Sequence, residues 1–597
     1  MGKQLNIKSI LKAFSEPVIR EWPLWLAIVF TLVPDTWTNL LYHIRVHNMP
    51  IDTFKWAVSS MSVIAVFAYI VVFIVTKVPH RRLVKWVIYV ILLAIWLVSL
   101  FLINNFSTTY TPEVLQLLIE TNANESSEFL STWIGAPGTR RSIIIVVLTL
   151  SLILLAEYKR VKVMTLMRKF VPSLVVTVVL LVMLMQGLWI GRRIVHRYSS
   201  LYELELYEGR YYSTDAISTL CSSIVKLKLH QQETWTAIDL AVKTAKSSDA
   251  VNCLTDSMDL VLVIGESYNK WHSSLYGYGL ETSPLMRAER DQGLLAVFTN
   301  VVSPYNLTSV VIKNMLSLNS LGCGERWQQS PIWTAVMKSA GWQVYWWDNQ
   351  RDYKQREFHT ASLMDFLFNK KMVDHIYHAV NDQTFQYDKE LVDDYFQKNR
   401  PGKRNLVVFH LMGQHTAYDS RYPHDDRWEQ WTTNMVPVAQ APYMDESRRE
   451  VVLHFDRATL YNDYILSVII NHYRYRNAVV VMLSDHGEEV YDYRDFMERD
   501  HNPLKSPMMV KFENEVPMFI WCSPVYKARH PERASAIVNA VNQPLMTDVI
   551  GQMMLWLGGV ESQWNDSTRN VLHPAYRPVK RLIYDTIDYD QLMSGNQ

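Results

Sequence analysis

Cysteine is scarce in this chain, and neither sign of charge is in excess. Four cysteines in 597 residues are too few for a scaffold built on disulfides. Lysine and arginine total 59 against 58 aspartates and glutamates, whereas a nucleic-acid-binding protein shows clustered positive charge. The 20 Trp, 32 Tyr and 20 Phe residues exclude a disordered chain, because they supply more apolar surface than a solvated chain needs. The composition therefore predicts a folded protein with no nucleic-acid partner.

Apolar residues make up 49% of the chain, yet its mean hydropathy is only −0.04, so apolar and polar residues must be segregated. The longest apolar runs lie in the first third of the chain, and three of them carry no charge. A helix of about 20 apolar residues crosses the hydrocarbon core of a bilayer. We therefore predict an α-helical membrane domain over residues 1–191, with five spans at about 22–43, 56–76, 86–103, 142–156 and 170–191.

The charges between these runs predict a topology. Basic clusters precede the first span and follow the second and the fourth, whereas the loop at 104–140 carries four glutamates. Cytoplasmic loops are enriched in Lys and Arg, so five spans place the C-terminal part outside the cytoplasm. The first run is also too long for a cleavable signal peptide. Residues 192–250 are amphipathic and rich in Tyr, which favours interfacial linker helices; a pair of ordinary surface helices is the alternative.

From Asp259 onward, short apolar runs alternate with helical patterns such as 448–472 and 534–557. This alternation is typical of an α/β sheet with helices on both faces. We therefore predict an α/β domain with a mainly parallel sheet over residues 251–597, and a ligand site beyond the carboxyl ends of its strands. The runs interpreted as buried parallel strands are 259–264, 343–347, 405–411, 478–484 and 516–521.

Acidic residues and histidines follow three of these runs. Glu266 follows the first, His415 the third, and Asp485 and His486 the fourth. One acid at a strand end is usually structural, but the carboxyl ends of parallel strands meet at one edge. Carboxylate oxygens and imidazole nitrogens together bind Zn²⁺, or less favourably Mn²⁺. The sequence therefore predicts a metal site at this edge.

Four stretches resemble the phosphoethanolamine transferases of Gram-negative envelopes, which belong to the alkaline phosphatase/sulfatase superfamily. They are VIGESYNKWHSSLYGYGLETSPLM, VFTNVVSPYNLTSVVIKNMLSL, VVFHLMGQHTAYDSRYP and VVVMLSDHGEEVYD. The resemblance extends to the five-span membrane domain, and it is closer to enzymes that modify the lipopolysaccharide core than to those that modify lipid A. The Cys/Ser-x-Pro-x-Arg nucleophile motif of sulfatases is absent from the NVVSPYN loop, which argues against a sulfatase activity.

The resemblance implies a zinc-bound threonine nucleophile, and Thr308 fits that role. Thr308 opens a helical pattern, and helix N-termini attract phosphate oxygens. Ser303 and Ser309 are neighbouring hydroxyls that keep the assignment open, and a simple N-cap is the structural alternative for Thr308. The zinc ligands that the resemblance implies are Glu266, Thr308, Asp485 and His486.

The resemblance also implies residues that bind substrate. Two histidines match those that bind the substrate phosphate or a second zinc ion, a lysine matches a pocket lysine, and two residues of the outer loop match a membrane-proximal pocket. These residues are His415, His501, Lys354, Thr121 and Glu125. Leu117 stands where the family has an asparagine, and the four cysteines are too few for the disulfides of the lipid A branch.

The activity that the resemblance implies is transfer of phosphoethanolamine from phosphatidylethanolamine to a hydroxyl or phosphate of a glycolipid. The acceptor would be the lipopolysaccharide core or lipid A, and the route a covalent phosphothreonine at a zinc site. The expected location is the bacterial inner membrane, crossed several times, with the catalytic domain in the periplasm. Two alternatives stay open: a glycerophosphate transferase of the lipoteichoic-acid-synthase type and a non-catalytic membrane scaffold.

Overall fold

The chain forms two units in a computed structural model. One comprises Met1–His230 with His501–Pro503, and the other Gln231–Asp500 with Leu504–Gln597. The predicted borders near residues 191 and 250 stay predictions. The residues that the structure describes are 7–31, 50–106, 110, 114–115, 129, 132–170, 173–197, 216–247, 251–323, 326–350, 366–400, 402–437, 441–500 and 505–595.

The first unit is helical, as predicted. Its helices are α1 Ile7–Arg20, α2 Trp22–Thr31, α3 Pro50–Lys77, α4 Arg81–Phe106, α5 Pro137–Phe170 and α6 Ser173–Arg197. The next helix, α7 Ala216–Ala245, contains the border between the two units. Within the described residues, α4 and α5 are the two helices long and apolar enough to cross a membrane. The apolar parts of α2, α3 and α6 are shorter, at Trp22–Thr31, Ile64–Lys77 and Leu174–Trp189. The number of five spans therefore stays a prediction.

Large apolar side chains lie on both sides of these helices. Ile28, Ile64 and Val72 pack in a shared core, while Val90 and Leu148 are 66% and 60% exposed. A helix of a water-soluble unit would carry polar residues on its outer face. Apolar outer faces are what contact with lipid requires.

Four charged side chains are tied together within the first unit. Lys85 Nζ donates to Glu21 Oε2 at 3.0 Å and to Glu157 Oε2 at 2.8 Å. Arg160 Nη1 donates to Glu21 Oε1 at 2.8 Å, and the Tyr89 hydroxyl donates to Glu157 Oε1 at 2.7 Å. Two anions thus balance two cations. We call Glu21, Lys85, Glu157 and Arg160 the balanced cluster.

The second unit contains a mainly parallel seven-stranded sheet, ordered β3-β11-β8-β2-β7-β5-β6. The bounds of its strands are β2 Met258–Gly265, β3 Leu295–Phe298, β5 Gln343–Asp348, β6 Ala379–Val380, β7 Arg404–His410, β8 Ala478–Ser484 and β11 Met518–Cys522. The short strands outside it are β1 Val251–Cys253, β4 Val301–Val302, β9 Glu489–Val490, β10 Met497–Glu498, β12 Leu545–Met546, β13 Val560–Ser562, β14 Leu582–Ile583 and β15 Ile587–Asp588.

The helices of this unit include α9, which carries Thr308, and the 28-residue α13. Their bounds are α8 Pro284–Asp291, α9 Thr308–Leu316, α10 Trp333–Ser339, α11 Lys370–His375, α12 Asp388–Lys398, α13 Glu446–Tyr473, α14 Pro507–Glu513, α15 Pro524–Arg529, α16 Pro531–Ala540, α17 Ile550–Leu557 and α18 Tyr589–Met593.

Strand β2 shows why the sheet is covered on both faces. All eight of its residues are buried, and successive side chains of a strand point to opposite faces. Leu260 and Leu262 enter one apolar core, while Val261 and Val263 enter the other. A continuous apolar run is what a parallel strand between two helical layers needs. The predicted α/β class is confirmed.

The run at 516–521 was expected to be a parallel strand, and this expectation is wrong. Strand β11 is antiparallel to both β8 and β3. After β8 the chain stays at the carboxyl edge, where Gly487 N donates to the Glu513 carbonyl at 2.8 Å. The chain therefore enters β11 from that edge and runs back beside β8. The helical pattern at 534–557 is likewise split into α16 and α17 by β12, which pairs with β4, because Pro544 cannot continue a helix.

Candidate metal and phosphoryl-transfer site

The three strand ends singled out by the sequence lie side by side. Strand β2 pairs in parallel with β8 on one side and β7 on the other, with Gly265 opposite Ser484. The residues that follow these strands therefore emerge at one edge. Gly413 packs so tightly here that a Cβ would come within 2.8 Å of the Glu266 carbonyl oxygen. Its φ of 51° also favours glycine.

Glu266, Asp485 and His486 form a buried cluster of potential metal ligands. One ligand atom from each lies within 4.8 Å of the other two, and all three residues have zero exposure. His486 Nε2 lies 3.0 Å from Asp485 Oδ2 and 3.4 Å from Glu266 Oε1. The predicted convergence of these three residues is present in the structure. We call them the ligand cluster.

The hydrogen bonds of the ligand cluster suit a divalent cation. His486 Nδ1 lies 2.9 Å from the Gly487 carbonyl, so Nδ1 carries a proton and Nε2 faces the cluster. Asp485 Oδ1 accepts from the His486 amide at 2.7 Å, whereas its buried Oδ2 accepts no hydrogen bond. A buried carboxylate oxygen without a donor is costly unless a cation binds it. Two carboxylates and one imidazole nitrogen are a donor set that zinc accepts.

The pKa values of the cluster reflect the same charge distribution. Burial by itself would raise the pKa of Asp485, but the neighbouring His486 lowers it well below its usual range. Burial would lower the pKa of His486, but Asp485 and Glu266 raise it. The carboxylates therefore attract positive charge to Nε2, in the form of a proton or of a metal ion.

Thr308 lies directly against the ligand cluster. Its hydroxyl donates to Glu266 Oε2 at 3.0 Å and lies 3.2 Å from His486 Nε2. Thr308 is the first residue of α9, and the N-cap is Leu307, which makes no side-chain cap. The N-cap alternative for Thr308 is therefore wrong. Of the two candidate hydroxyls Ser303 and Thr308, Thr308 is the one that contacts the ligand cluster, because the Ser303 hydroxyl donates to the Tyr305 carbonyl at 3.0 Å. The Ser267 hydroxyl also contacts the cluster and donates to Glu266 Oε1 at 2.8 Å.

His415 follows β7 near the same edge. Burial, aided by the charges of Arg421 and Arg499, lowers its pKa to about 3, although Glu266 opposes this. Its Nδ1 is buried and has no hydrogen-bond partner, so a neutral imidazole can accept a proton there. The other predicted substrate residues, His501, Lys354, Thr121 and Glu125, lie outside the described residues.

Two residues that sequence reasoning missed contact the ligand cluster. Gln350 Nε2 donates to Glu266 Oε2 at 3.0 Å and to the Leu411 carbonyl at 2.9 Å. Gln350 follows β5, so the rule that found Glu266 could also have found it. Arg499 Nη1 lies 2.7 Å from His486 Nε2. No local motif marks Arg499, because a tertiary return of the chain brings it there.

A buried histidine supports the loop that follows β2. His272 Nδ1 lies 2.6 Å from Asp456 Oδ1, and its Nε2 lies 3.0 Å from Asp492 Oδ1. Burial opposes protonation, but the two carboxylates raise the pKa of His272 to about 10. Since both ring nitrogens face carboxylates, the side chain is an imidazolium that joins this loop to α13 and to the turn between β9 and β10.

Several curated proteins are similar to this chain. The phosphoethanolamine transferase EptC of Escherichia coli K12 is 29% identical over 357 residues, which cover 57% of this chain and 58% of that protein. The chain thus spans less than two thirds of that relative. The phosphoethanolamine transferase CptA of Salmonella typhimurium is 26% identical over 87% of this chain and 88% of its own length.

Solved structures show the same fold. The periplasmic domain of EptC from Escherichia coli covers 58% of this chain and 97% of its own, with a TM-score of 0.50 and 26% identity. The integral membrane protein EptA from Neisseria meningitidis covers 94% of this chain and 99% of its own, with a TM-score of 0.57 and 17% identity. The profile of the sulfatase family matches residues 258–558, the segment that carries the sheet, the ligand cluster and Thr308. The chain belongs to the sulfatase family.

Proposed function

We propose that this protein transfers phosphoethanolamine from phosphatidylethanolamine to a hydroxyl or phosphate of a cell-envelope glycolipid, either lipopolysaccharide core or lipid A. The transfer passes through a covalent phosphothreonine at Thr308. Similarity to relatives named phosphoethanolamine transferase supports this activity. A non-catalytic scaffold would need no such buried anionic cluster.

The observation that carries the proposal is the position of the Thr308 hydroxyl. It donates a 3.0 Å hydrogen bond to Glu266 Oε2, at the first residue of a nine-residue helix. Backbone N–H groups at a helix N-terminus attract phosphoryl oxygens, and a carboxylate that holds the hydroxyl proton favours attack by oxygen. A nucleophile, a proton acceptor and an anion-binding helix end therefore meet at one place.

Zinc is the metal we assign to this site, held by Glu266, Thr308, Asp485 and His486. When bound, it lowers the pKa of a coordinated hydroxyl and offsets charge on the phosphoryl oxygens. Glu266 Oε2 accepts the proton that Thr308 loses, and the glycerol oxygen leaves as the hydroxyl of diacylglycerol with a proton taken from water. His415 is neutral near pH 7, because its pKa is about 3, so its ring nitrogen can accept a hydrogen bond from the hydroxyl that attacks phosphorus in the second step. The proton of that hydroxyl passes to water, and Glu266 returns its own proton to the departing Thr308 oxygen. We assign the substrate phosphate or a second zinc ion to His415 and His501, the substrate pocket to Lys354, and a membrane-proximal substrate pocket to Thr121 and Glu125.

Membrane location is the second part of the proposal. The apolar outer faces of α4 and α5 and the alternation of basic clusters with an acidic loop support five spans in the bacterial inner membrane, with the catalytic domain in the periplasm. Both donor and acceptor are lipids, so the reaction needs an active site near the membrane surface. We expect a C-terminal alkaline phosphatase fusion to be active and a Sec-exported green fluorescent protein fusion to be dark. The reverse pattern would contradict this topology.

The activity is tested with the purified full chain and phosphatidylethanolamine labelled in either the headgroup or the acyl chains. We expect labelled diacylglycerol without an acceptor, and the ethanolamine label on the peptide that spans Asn306 to Lys313. Lipopolysaccharide from cells with and without the gene should differ by one phosphoethanolamine in mass spectra. Turnover of phosphatidylglycerol with glycerophosphate on the peptide would establish the glycerophosphate alternative instead. No peptide label with either lipid, together with an unchanged mass of the lipopolysaccharide, would reject both transferases.

A further inference from the structure

The hairpin β9–β10 returns the chain to the ligand cluster. Strand β9 begins at Glu489, three residues after His486, and β10 places Glu498 opposite Glu489. The next residue, Arg499, therefore lies back beside the ligands from which the hairpin departed. Glu498 has a φ of 74°, in the left-handed region that a residue other than glycine adopts at an energetic cost. This backbone turn directs Arg499 toward the site.

The guanidinium of Arg499 is buried among the ligands. Its side chain is only 10% exposed, and Nη1 lies 3.7 Å from Glu266 Oε1. The same Nη1 donates to His486 Nε2 at 2.7 Å, the atom that lies 3.2 Å from the Thr308 hydroxyl. On its other side, Nε lies 3.9 Å from Glu488 Oε2. Arg499 and Thr308 therefore share a neighbour in His486.

The backbone beside Arg499 is also tied to the loop that carries the nucleophile. Asp500 N donates to Glu513 Oε1 at 2.8 Å. Asn306, two residues before Thr308, donates to Glu513 Oε2 at 2.6 Å and to the Asp500 carbonyl at 3.3 Å. These bonds fix the position of the backbone at Arg499 relative to the backbone at Thr308, although the two residues are far apart in sequence.

We propose that Arg499 is a catalytic residue that binds a non-bridging oxygen of the phosphoryl group attacked by Thr308; this inference rests on the proposed transfer. Were His486 Nε2 to hold a metal ion, it would no longer accept from Arg499 Nη1, and this N–H would be available to a phosphoryl oxygen. In the step, the Oγ–phosphorus bond forms and the bond from phosphorus to the glycerol oxygen breaks. Arg499 keeps its protons throughout and donates N–H bonds to charge that grows on oxygen.

The first test measures binding of inorganic phosphate by the zinc-loaded full chain in detergent, using calorimetry. We expect Arg499→Gln to bind phosphate at least about tenfold more weakly than wild type, because a charged hydrogen bond is lost. Arg499→Lys should fall in between, because it keeps the charge without the fork of donors. Arg448→Gln is the matched control, because Arg448 pairs with Asp495 of the same hairpin. The Arg448→Gln variant should bind phosphate like wild type.

The second test measures kcat for diacylglycerol release together with zinc content. Arg499→Gln removes one donor to the charge that develops on the phosphoryl oxygens, so its kcat should fall about 100-fold or more. Its zinc stoichiometry should be unchanged, and Arg499→Lys should recover part of the lost kcat. Unchanged phosphate affinity in a zinc-loaded Arg499→Gln would overturn the assignment. Loss of zinc from that variant would also overturn it, because Arg499 would then act by supporting the metal site. A wild-type protein that binds phosphate but releases no diacylglycerol counts against the transfer alone, and the phosphate affinities still decide the role of Arg499.

Discussion

Buried charges occur in both units of this protein, but they are balanced differently. In the first unit, Lys85 and Arg160 neutralise Glu21 and Glu157 through contacts of 2.8 to 3.0 Å. In the second unit, two carboxylates lie beside one imidazole and the single guanidinium of Arg499, whose Nη1 is 3.7 Å from Glu266 Oε1, and Asp485 Oδ2 accepts no hydrogen bond. A set of charges that is neutralised by its own protein partners needs no further ion, and the removal of one partner is costly. A set with surplus negative charge and an unpaired ligand atom is prepared for a cation from outside.

The largest effect is expected from removing the nucleophile. Thr308→Ala should lower diacylglycerol release by at least about 1000-fold, because the oxygen that attacks phosphorus is lost, while the fold and at least some of the zinc are retained. Thr308→Ser should keep measurable activity, since only a methyl group is lost. Ser309→Ala is the control and should be mild, because adjacent residues at a helix start point in different directions. A fully active Thr308→Ala would mean direct transfer in a single displacement.

The surplus of negative charge is tested by removing ligands. Asp485→Ala and His486→Ala should each lose zinc and activity together, as measured by elemental analysis and lipid release. Glu266→Gln keeps the shape of the side chain and should weaken zinc binding without unfolding the domain. Normal zinc content in all three purified variants would show that the metal lies elsewhere.

A substitution in the balanced cluster should lower the free energy of unfolding. Lys85→Met leaves two buried carboxylates short of a cation and should cost about 3–5 kcal/mol in the free energy of unfolding. Thermal unfolding in detergent, followed by circular dichroism, measures this loss. The double variant Lys85→Met with Glu157→Gln should recover part of it. Equal stability of Lys85→Met and wild type would remove the contrast between the two units.

The imidazolium of His272 should make stability depend on pH. Its pKa is raised from 6.5 to about 10 in the folded chain, so the stabilisation is complete below pH 6.5 and is lost as the pH rises through about 10. The gap in unfolding temperature between wild type and His272→Gln should shrink over that range. A gap that stays constant from pH 6 to above pH 10 would mean that His272 is neutral when folded.

The smallest effect is expected at an exposed pair of the first unit. Arg168 and Glu16 form an ion pair with side chains 45% and 31% exposed, and such pairs contribute about 0–1 kcal/mol. Arg168→Met should therefore leave the unfolding temperature nearly unchanged, in contrast to Lys85→Met. A loss as large as that of Lys85→Met would show that burial does not separate the two pairs.

The local sequence pattern determined much of this protein. Continuous apolar runs predict buried strands, since a strand between two helical layers is apolar on both faces, and the residues after those runs predict the ligand cluster. The direction of β11 could not be predicted in this way. An apolar strand looks the same in either direction, and only the path of the preceding segment decides the edge from which it starts.

Charge shows the same division between local and tertiary information. Lys85 and Arg160 count as basic loop residues in the sequence, but in the fold they pair with Glu21 and Glu157. Gln350 reaches Glu266 from 84 residues away, whereas Arg499 reaches His486 from 13 residues away through the pairing of β9 with β10. The sequence by itself determined the classes of the two units and the chemistry of the ligands, because periodicity and strand ends are local properties. Only the tertiary structure decided which charges are neutralised, because that depends on distances between segments far apart in the chain.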